Sequence, residues 1–314
     1  IGMMSLCANT TSSNNVAVGC ASLFTNITGS GNIAVGTCAL ATNNAGYNTA
    51  VGNHAMRYNT TGVFNDAFGS YALRSNTTGC ENTAVGYESQ CKTTIGIRNV
   101  SVGFLSLKFN TEGGYNTGIG RSALMKNTTG CFNTAIGTFA GCNNETANGI
   151  TALGYAALLA NSAAANTAVG QHAAYANTTG TCNTAVGFCT LKENLTGVMN
   201  VAVGACAMYN TTGSYNTAVG TTALCSNTSG SCNVAMGRLA LRLNTTGCQN
   251  VAIGEAVMCS NTTGIRNVAM GRAALFNNTT GCYNVGLGYG AGDSITTGCK
   301  NIAIDTADRR KAIE

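Results

Sequence analysis

The stretch Asn15-Val16-Ala17-Val18-Gly19 decides the fold, because a close copy of it returns about every 17 residues along this chain of 314 residues. Three intervals shorten to 16, and Ile150 once replaces the Asn. One copy is too small to bury its own apolar residues, so consecutive copies must stack on each other. The copies begin at Asn15, Asn32, Asn48, Asn65, Asn82, Asn99, Asn116, Asn133, Ile150, Asn166, Asn183, Asn200, Asn216, Asn233, Asn250, Asn267, Asn284 and Asn301. The repeat therefore predicts a solenoid.

Each copy can be numbered from its Asn as position 1, and its first five residues read as a short strand. Position 2 is mostly Thr or Val, position 3 is small, and position 4 is a larger apolar residue such as Val18 or Phe68. β-Branched and apolar residues in such a run favour a strand. We expect position 4 to form the core together with the Leu or Met at position 9. The small residues of position 3 would then face outward, as a strip where neighbouring chains pack.

Glycine marks the end of the strand. Position 5 is Gly in all seventeen complete copies, from Gly19 to Gly288, and Asp305 stands there in the last one. An unvarying Gly indicates a bend, a positive φ or a backbone contact too close for a Cβ atom. Segments such as Arg121 to Lys126, around positions 8 and 9, have the length of a second short strand or one helical turn, and we favour the strand. The Asn-Thr-Thr-Gly that closes most copies is typical of a turn.

These patterns predict a mainly all-β fold. It is a β-solenoid of about eighteen 17-residue coils, each with one core strand plus a second short strand or helical turn. We expect residues 1–305 to form one continuous solenoid and residues 306–314 a short charged tail.

The composition restricts the partners of the chain. Charged residues make up 9%, well below the roughly 25% of an average soluble protein. The net charge of +5 has no basic run apart from Arg309-Arg310-Lys311, so we expect no nucleic-acid partner. Since no stretch approaches 18 apolar residues, we also expect no membrane span.

Thirteen copies of the closing turn are also acceptor sequences for N-linked glycans, and a turn is where such a site belongs. The alternative is that these Asn and Thr side chains stack into hydrogen-bonded ladders between coils. The candidate sites are Asn9, Asn26, Asn59, Asn76, Asn127, Asn144, Asn177, Asn194, Asn210, Asn227, Asn244, Asn261 and Asn278. Covalent glycans are thus one expected partner.

Sixteen cysteines point to an oxidising, extracellular location, because disulfides persist there. Cys189 with Cys206, and Cys282 with Cys299, share a position in successive coils, where the strand spacing suits a disulfide. Three further sets repeat an 11-residue spacing. The disulfide candidates are Cys80, Cys91, Cys131, Cys142, Cys189, Cys206, Cys248, Cys259, Cys282 and Cys299. Buried free thiols are the alternative.

Catalytic chemistry is poorly provided for in this sequence. The chain has two histidines, His54 and His172, and eleven carboxylates. Glu88, Glu145, Glu193 and Glu255 fall at unrelated positions of the repeat and are expected to be surface charges. Since an enzyme needs titratable groups within mutual reach, we expect neither an enzyme nor a cofactor or metal site.

The string from Gly213 to Leu224, Gly-Ser-Tyr-Asn-Thr-Ala-Val-Gly-Thr-Thr-Ala-Leu, resembles the head repeats of trimeric autotransporter adhesins and the repeat arrays of phage-type tail fibres. The resemblance implies a left-handed parallel β-roll, three chains side by side and a role in attachment at a cell surface. The longer period and the cysteines of this chain depart from that family.

The two ends of the array read as bare coil edges. Ile1 and Gly2 match positions 4 and 5, and Asn301, Ile302 and Ile304 belong to a full strand. Since an open edge pairs with another strand, we expect copies of the chain to join end to end, and also side by side, as the structural subunit of an extracellular fibre. The alternatives are the shaft of an adhesin or tail fibre, as a homotrimer, and more distantly an ice-binding solenoid.

Overall fold

The computed structural model describes residues 1–304, which contain eighteen parallel three-residue strands and no helix. The chain divides into two compact units, Ile1–Ala164 with β1–β9 and Ala165–Glu314 with β10–β18. Each unit is a β-solenoid in which one coil adds one strand, so the predicted fold class is confirmed. The strands are β1 Val16–Val18, β2 Ile33–Val35, β3 Thr49–Val51, β4 Asp66–Phe68, β5 Thr83–Val85, β6 Val100–Val102, β7 Thr117–Ile119, β8 Thr134–Ile136, β9 Thr151–Leu153, β10 Thr167–Val169, β11 Thr184–Val186, β12 Val201–Val203, β13 Thr217–Val219, β14 Val234–Met236, β15 Val251–Ile253, β16 Val268–Met270, β17 Val285–Leu287 and β18 Ile302–Ile304.

Within each unit, equivalent residues of successive coils lie side by side. Val16 pairs with Ile33 in unit 1, and Thr167 pairs with Thr184 in unit 2. The shortened coils keep this register by losing one residue from the turn after position 12. The amide of Asn59 bonds a carbonyl three residues later, whereas that of Asn43 bonds one only two residues later. A single solenoid over residues 1–305 stays a prediction, and the tail at 306–314 lies outside the described residues.

The interior of the coils is lined by position 3, not position 4. The middle residue of nearly every strand is buried, and the residues on either side of it are partly or fully exposed. The expectation that position 4 forms the core and position 3 faces outward was therefore wrong, although the Leu or Met of position 9 is buried as expected. The reason is space. A Cβ atom on Gly286 would lie 2.8 Å from Cγ of Leu275, so a Val at position 3 would not fit.

The glycine at position 5 meets two of its expected requirements. Its φ is positive throughout, for example +133° at Gly237. A Cβ atom on Gly237 would lie 2.3 Å from the carbonyl oxygen of Gly254 in the next coil. In the seventeen complete coils, position 5 therefore accepts only Gly, because both the backbone conformation and the stacking distance exclude a side chain.

The segment after this glycine is a run of turns, so each described coil has one strand and the favoured second strand is absent. The N–H of Ala39 donates to the carbonyl of Gly36, and the N–H of Asn43 donates to that of Leu40. Cys38 and Leu40, at positions 7 and 9, have φ values of +54° and +50°. Positive φ is uncommon for residues with a side chain. Here the stacking bonds of the neighbouring coils hold it, since Leu40 N–H donates to the carbonyl of Ala55.

Candidate functional site

Two ladders of asparagine side chains run inside the coils, at positions 1 and 12. At position 12, the Asn76 amide donates to Oδ1 of Asn59 in the preceding coil at 2.7 Å and to the carbonyl of Gly79 at 2.9 Å. At position 1, the Asn65 amide donates to the same Gly79 carbonyl at 2.8 Å. The two ladders therefore meet at the glycine of the closing turn, and they satisfy buried polar groups that would otherwise destabilise the interior.

Most of the candidate glycosylation sites are members of the position 12 ladder. Eleven of the thirteen are buried, namely Asn26, Asn59, Asn76, Asn127, Asn144, Asn177, Asn194, Asn227, Asn244, Asn261 and Asn278. Asn9 is half-buried, and Asn210, at position 11, is exposed. The ladder alternative is thus observed. A glycan on a buried amide would have to break its ladder bonds, so Asn210 is the site best placed to carry one, and occupancy of all thirteen stays a prediction.

The candidate disulfide cysteines fall into three columns, where a column is the set of residues at one position of successive coils. All sixteen cysteines are free thiols in the structure. Cys80, Cys131 and Cys248 lie in column 16, whereas Cys91, Cys142 and Cys259 lie in column 10 and are buried. Burial raises the pKa of these last three thiols. The 11-residue spacing therefore joins two different parts of the coil, and the disulfides stay a prediction.

The cysteines of column 16 act as small hydrogen-bonding side chains. Sγ of Cys282 donates to the carbonyl of Thr280 at 3.3 Å, and the N–H of Cys282 donates to Sγ of Cys299 at 3.2 Å. Ser231 fills the same role, because its Oγ accepts from the N–H of Ser214 at 3.1 Å. Cys282 and Cys299 are thus neighbours, as are Cys189 and Cys206 in column 7.

The outer face of the strands is apolar and almost uncharged. Columns 2 and 4 point outward, and Asp66 is the one charged residue among the thirty-six positions that they contain in the described strands. Large exposed members include Phe68 and Met270. Extended apolar surface of this kind is typical of sites where proteins associate.

Aromatic and charged residues stack along the columns beside this face. In column 17, the rings of Tyr115 and Phe132 lie 5.0 Å apart, and the Arg98 guanidinium lies 5.5 Å from the Tyr115 ring. Arg98 also bonds Glu81 at 2.9 Å and thereby holds the pKa of that carboxyl below its usual range. These contacts are exposed, and each contributes little to stability.

Of the four glutamates that were expected to be surface charges, three form ion pairs. Glu88 pairs with Lys108 at 2.7 Å, Glu193 with Lys192 at 3.5 Å, and Glu255 with Arg238 and Arg272. Hydrogen bonding from Arg238 lowers the pKa of Glu255. Burial, and then the charges of Arg57 and Arg74, lower the pKa of His54. Within residues 1–304, no three His, Cys, Asp or Glu side chains come together as a metal-binding group.

One group of charged surface residues was not predicted from the sequence. Arg57, Arg74, Lys92, Lys108 and Lys126 occur in five successive coils of unit 1, all at position 10 or 11. Their spacing of 16 to 18 residues was the available signal, since residues one period apart stack. In the folded chain they form one line of positive charge, which we call the basic stripe.

The predicted assembly residues lie at coil edges. Ile1 is 91% exposed, and its ammonium donates to the carbonyl of Ala17. Ile302 and Ile304 of β18 are 76% and 67% exposed, and the amide of Asn301 continues the position 1 ladder through Asn284. The backbone N–H of Ile302 donates to no other described residue. The outer edge of β18 thus carries a strand donor that has no backbone acceptor among residues 1–304.

Comparison with protein-family models and with curated proteins gave no match. Residues 1–304 also contain no helix long and apolar enough to cross a bilayer. The columns and coil edges are therefore the features that indicate a function.

Proposed function

We propose that the protein is a structural subunit of an extracellular fibre that grows by stacking of coils from one chain onto coils of the next. The observation that carries this proposal is that, within each unit, each coil presents the same backbone groups to the coil above it. The N–H at position 2 donates to the position 1 carbonyl of the following coil, as Val16 does to Asn32 at 2.8 Å. A coil of another chain meets the same donors and acceptors, so joining chains requires no new kind of contact.

Strand β18 illustrates how such a joint forms. Its middle residue Ala303 is half-buried, whereas the equivalent residues of the seventeen other strands are buried. An added coil would cover Ala303 and accept a hydrogen bond from the N–H of Ile302. The amide of Asn301 would extend the position 1 ladder into that coil. Burial of apolar surface and continued ladders would both stabilise the joint.

Lateral packing between copies uses columns 2 and 4 in this proposal, in place of the position 3 strip. The face they form carries one charged residue, Asp66, so two copies approach with little charge to bury. The side chains also recur at the coil spacing of about 4.8 Å. A second copy has the same spacing, and its columns can therefore lie between those of the first along their whole contact. A glycan on the exposed Asn210 would suit the extracellular location.

The test is to compare the 314-residue chain with the variants Ile302→Pro and Ile302→Thr by electron microscopy and sedimentation velocity. Proline removes the N–H that faces the next coil and is tolerated at a strand edge. Threonine keeps that N–H and the β-branched shape. We expect fibres from the original chain and from Ile302→Thr, and short particles from Ile302→Pro with an unchanged circular dichroism spectrum.

Two results would contradict the proposal. Fibres that form equally well from Ile302→Pro would show that β18 is not the joint. Discrete trimers from the original chain would favour the adhesin or tail-fibre alternative. Mass measurement of the secreted chain before and after glycosidase treatment tests the glycan separately, with Asn210→Gln as the variant expected to lose it.

A further inference from the structure

The basic stripe concentrates charge on a protein that otherwise has little. Five of the sixteen Lys and Arg residues lie in columns 10 and 11 of five successive coils. At about 4.8 Å per coil, the stripe spans about 19 Å. Lys92 and Lys126 are exposed, and the other three are half-buried. Closely spaced charges of one sign repel each other, so an opposite charge that lies along them is favoured.

Few acidic groups neutralise this line. Glu88 in column 7 pairs with Lys108 at 2.7 Å, and Glu145 in column 13 borders a shallow groove with Lys126. None of the five coils has a carboxylate in column 10 or 11. Nε of Arg74 is buried and has no hydrogen-bond partner among the described residues. The stripe therefore keeps a net positive charge.

Aromatic rings beside the stripe support the cations and leave no open platform. The guanidinium groups of Arg57 and Arg74 lie 5.2 and 5.6 Å from the centre of the Tyr58 ring. The Lys108 ammonium lies 5.2 Å from the centre of the Phe109 ring. Proteins that bind single-stranded nucleic acids stack bases on free aromatic faces. Because cations already occupy Tyr58 and Phe109, base stacking is disfavoured here.

We propose that the basic stripe binds a linear anionic polysaccharide whose sugars carry carboxylate or sulfate groups. A row of cations, one per coil in columns 10 and 11, matches an extended chain with regularly repeated anions. A nucleic-acid duplex fits less well, since its phosphates follow a helical path away from a straight line. A fibre subunit with this stripe attaches to the acidic glycans of a matrix or cell surface. Binding needs only unit 1, and so it does not depend on fibre formation.

The test measures binding of fluorescent heparin, fluorescent polygalacturonate and an oligothymidylate by the full chain, at about 50 and 150 mM NaCl. The stripe variant combines Arg57→Gln, Lys92→Gln and Lys126→Gln. The matched control combines Arg238→Gln, Arg266→Gln and Arg272→Gln, which remove the same charge from unit 2. Circular dichroism confirms that both variants fold, and Lys92→Gln with Lys126→Gln serves as a milder version.

We expect both polysaccharides to bind the original chain, more weakly at the higher salt concentration. The stripe variant should lose affinity by roughly tenfold, whereas the control should change by less than about twofold. The polysaccharide that binds with the higher affinity shows whether sulfate or carboxylate groups are preferred. The proposal is overturned by equal losses in both variants, by no binding at low salt, or by tighter binding of oligothymidylate through the stripe.

Discussion

Two coils of equal length, residues 233–249 and 82–98, share one backbone path but differ inside. In the first, Leu241 fills position 9, and the Asn244 amide donates to Asn227 at 2.7 Å and to Gly247 at 2.9 Å. In the second, Gln90 fills position 9 and Thr93 replaces the ladder asparagine. Both residues are buried. The comparison shows that the backbone path of a coil does not depend on these interior side chains, which affect its stability instead.

Only some of the buried polar atoms in and next to coil 82–98 have hydrogen-bond partners. The Gln90 amide donates to the carbonyl of Thr83 and to Oγ of Ser101, each at 2.9 Å. However, Gln90 Oε1, Thr93 Oγ1 and Asn76 Oδ1 are buried without a hydrogen-bond partner. Each such atom costs about 1 to 3 kcal/mol. Backbone pairing and the glycines thus define the coil, and we expect coil 82–98 to be less stable than coil 233–249.

The largest expected effect comes from placing the polar residue in the regular coil. Leu241→Gln should lower the free energy of unfolding by about 3 to 5 kcal/mol, because Ala240 and Ala252 stand where Gln90 has Ser89 and Ser101. Urea denaturation measures the loss. Leu241→Met is the control and should cost less than about 1.5 kcal/mol, since Met56 and Met208 already occupy position 9. An equal loss in both variants would refute this account of the interior.

A second effect concerns coil 133–149, where Gly141 stands at position 9. A Cβ atom there would lie 3.2 Å from Cδ1 of Ile150, whose side chain fills the space that a Leu takes elsewhere. We expect Gly141→Leu to cost about 2 to 3 kcal/mol through overpacking. Adding Ile150→Asn should recover at least half of that loss. A double-mutant cycle measures the coupling, and simple additivity would contradict the compensation.

Coil 82–98 should become more stable when Leu replaces the polar residue at position 9. Gln90→Leu removes the unpaired Oε1 and places an apolar side chain between Leu73 and Leu107. We expect a gain of about 1 kcal/mol, after subtraction of the lost amide bonds. Hydrogen exchange of amides in residues 82–98 should slow, while exchange in residues 233–249 stays the same. Faster exchange in residues 82–98 would show that the polar contacts outweigh burial.

Restoring the ladder should give a slightly smaller gain. Thr93→Asn provides an amide that reaches Asn76 Oδ1, and we expect about 0.5 to 1 kcal/mol from the urea midpoint. Thr211→Asn is the matched control, because Thr211 Oγ1 already accepts from Asn227 at 3.1 Å. The control should gain less. If Thr211→Asn gains as much as Thr93→Asn, the unpaired Oδ1 is not the cause.

The smallest effect is a pH dependence. Since the pKa of His54 is lowered on folding, the unfolded chain binds its proton more readily. Stability is therefore fully present above the unfolded pKa of about 6.5 and falls as the pH drops through the folded value. His54→Gln should reduce the difference between urea midpoints at pH 5 and pH 8. An unchanged difference between the two midpoints would contradict this account of His54.

The sequence predicted the repeat, the strand positions and the glycine corner, but it misplaced the inner face. Ala17 and Val18 are both apolar, so a three-residue strand gives no alternation from which to choose a side. Nor did the pattern predict positive φ at Leu40, because such residues normally avoid it. The Asn side chains were read as external sites or ladders, and burial of eleven of them favours the ladders.

The amino-acid sequence alone determined the period of the solenoid, since similar short units can bury their apolar groups only against each other. It also determined where the chain turns, because glycine alone accepts the φ and the close contact at position 5. Only the folded structure decided what each column faces. The room for a side chain depends on the distance to the next coil and to the residues on the opposite side of the interior. The basic stripe from Arg57 to Lys126 exists only because residues far apart in the sequence stack in the folded chain.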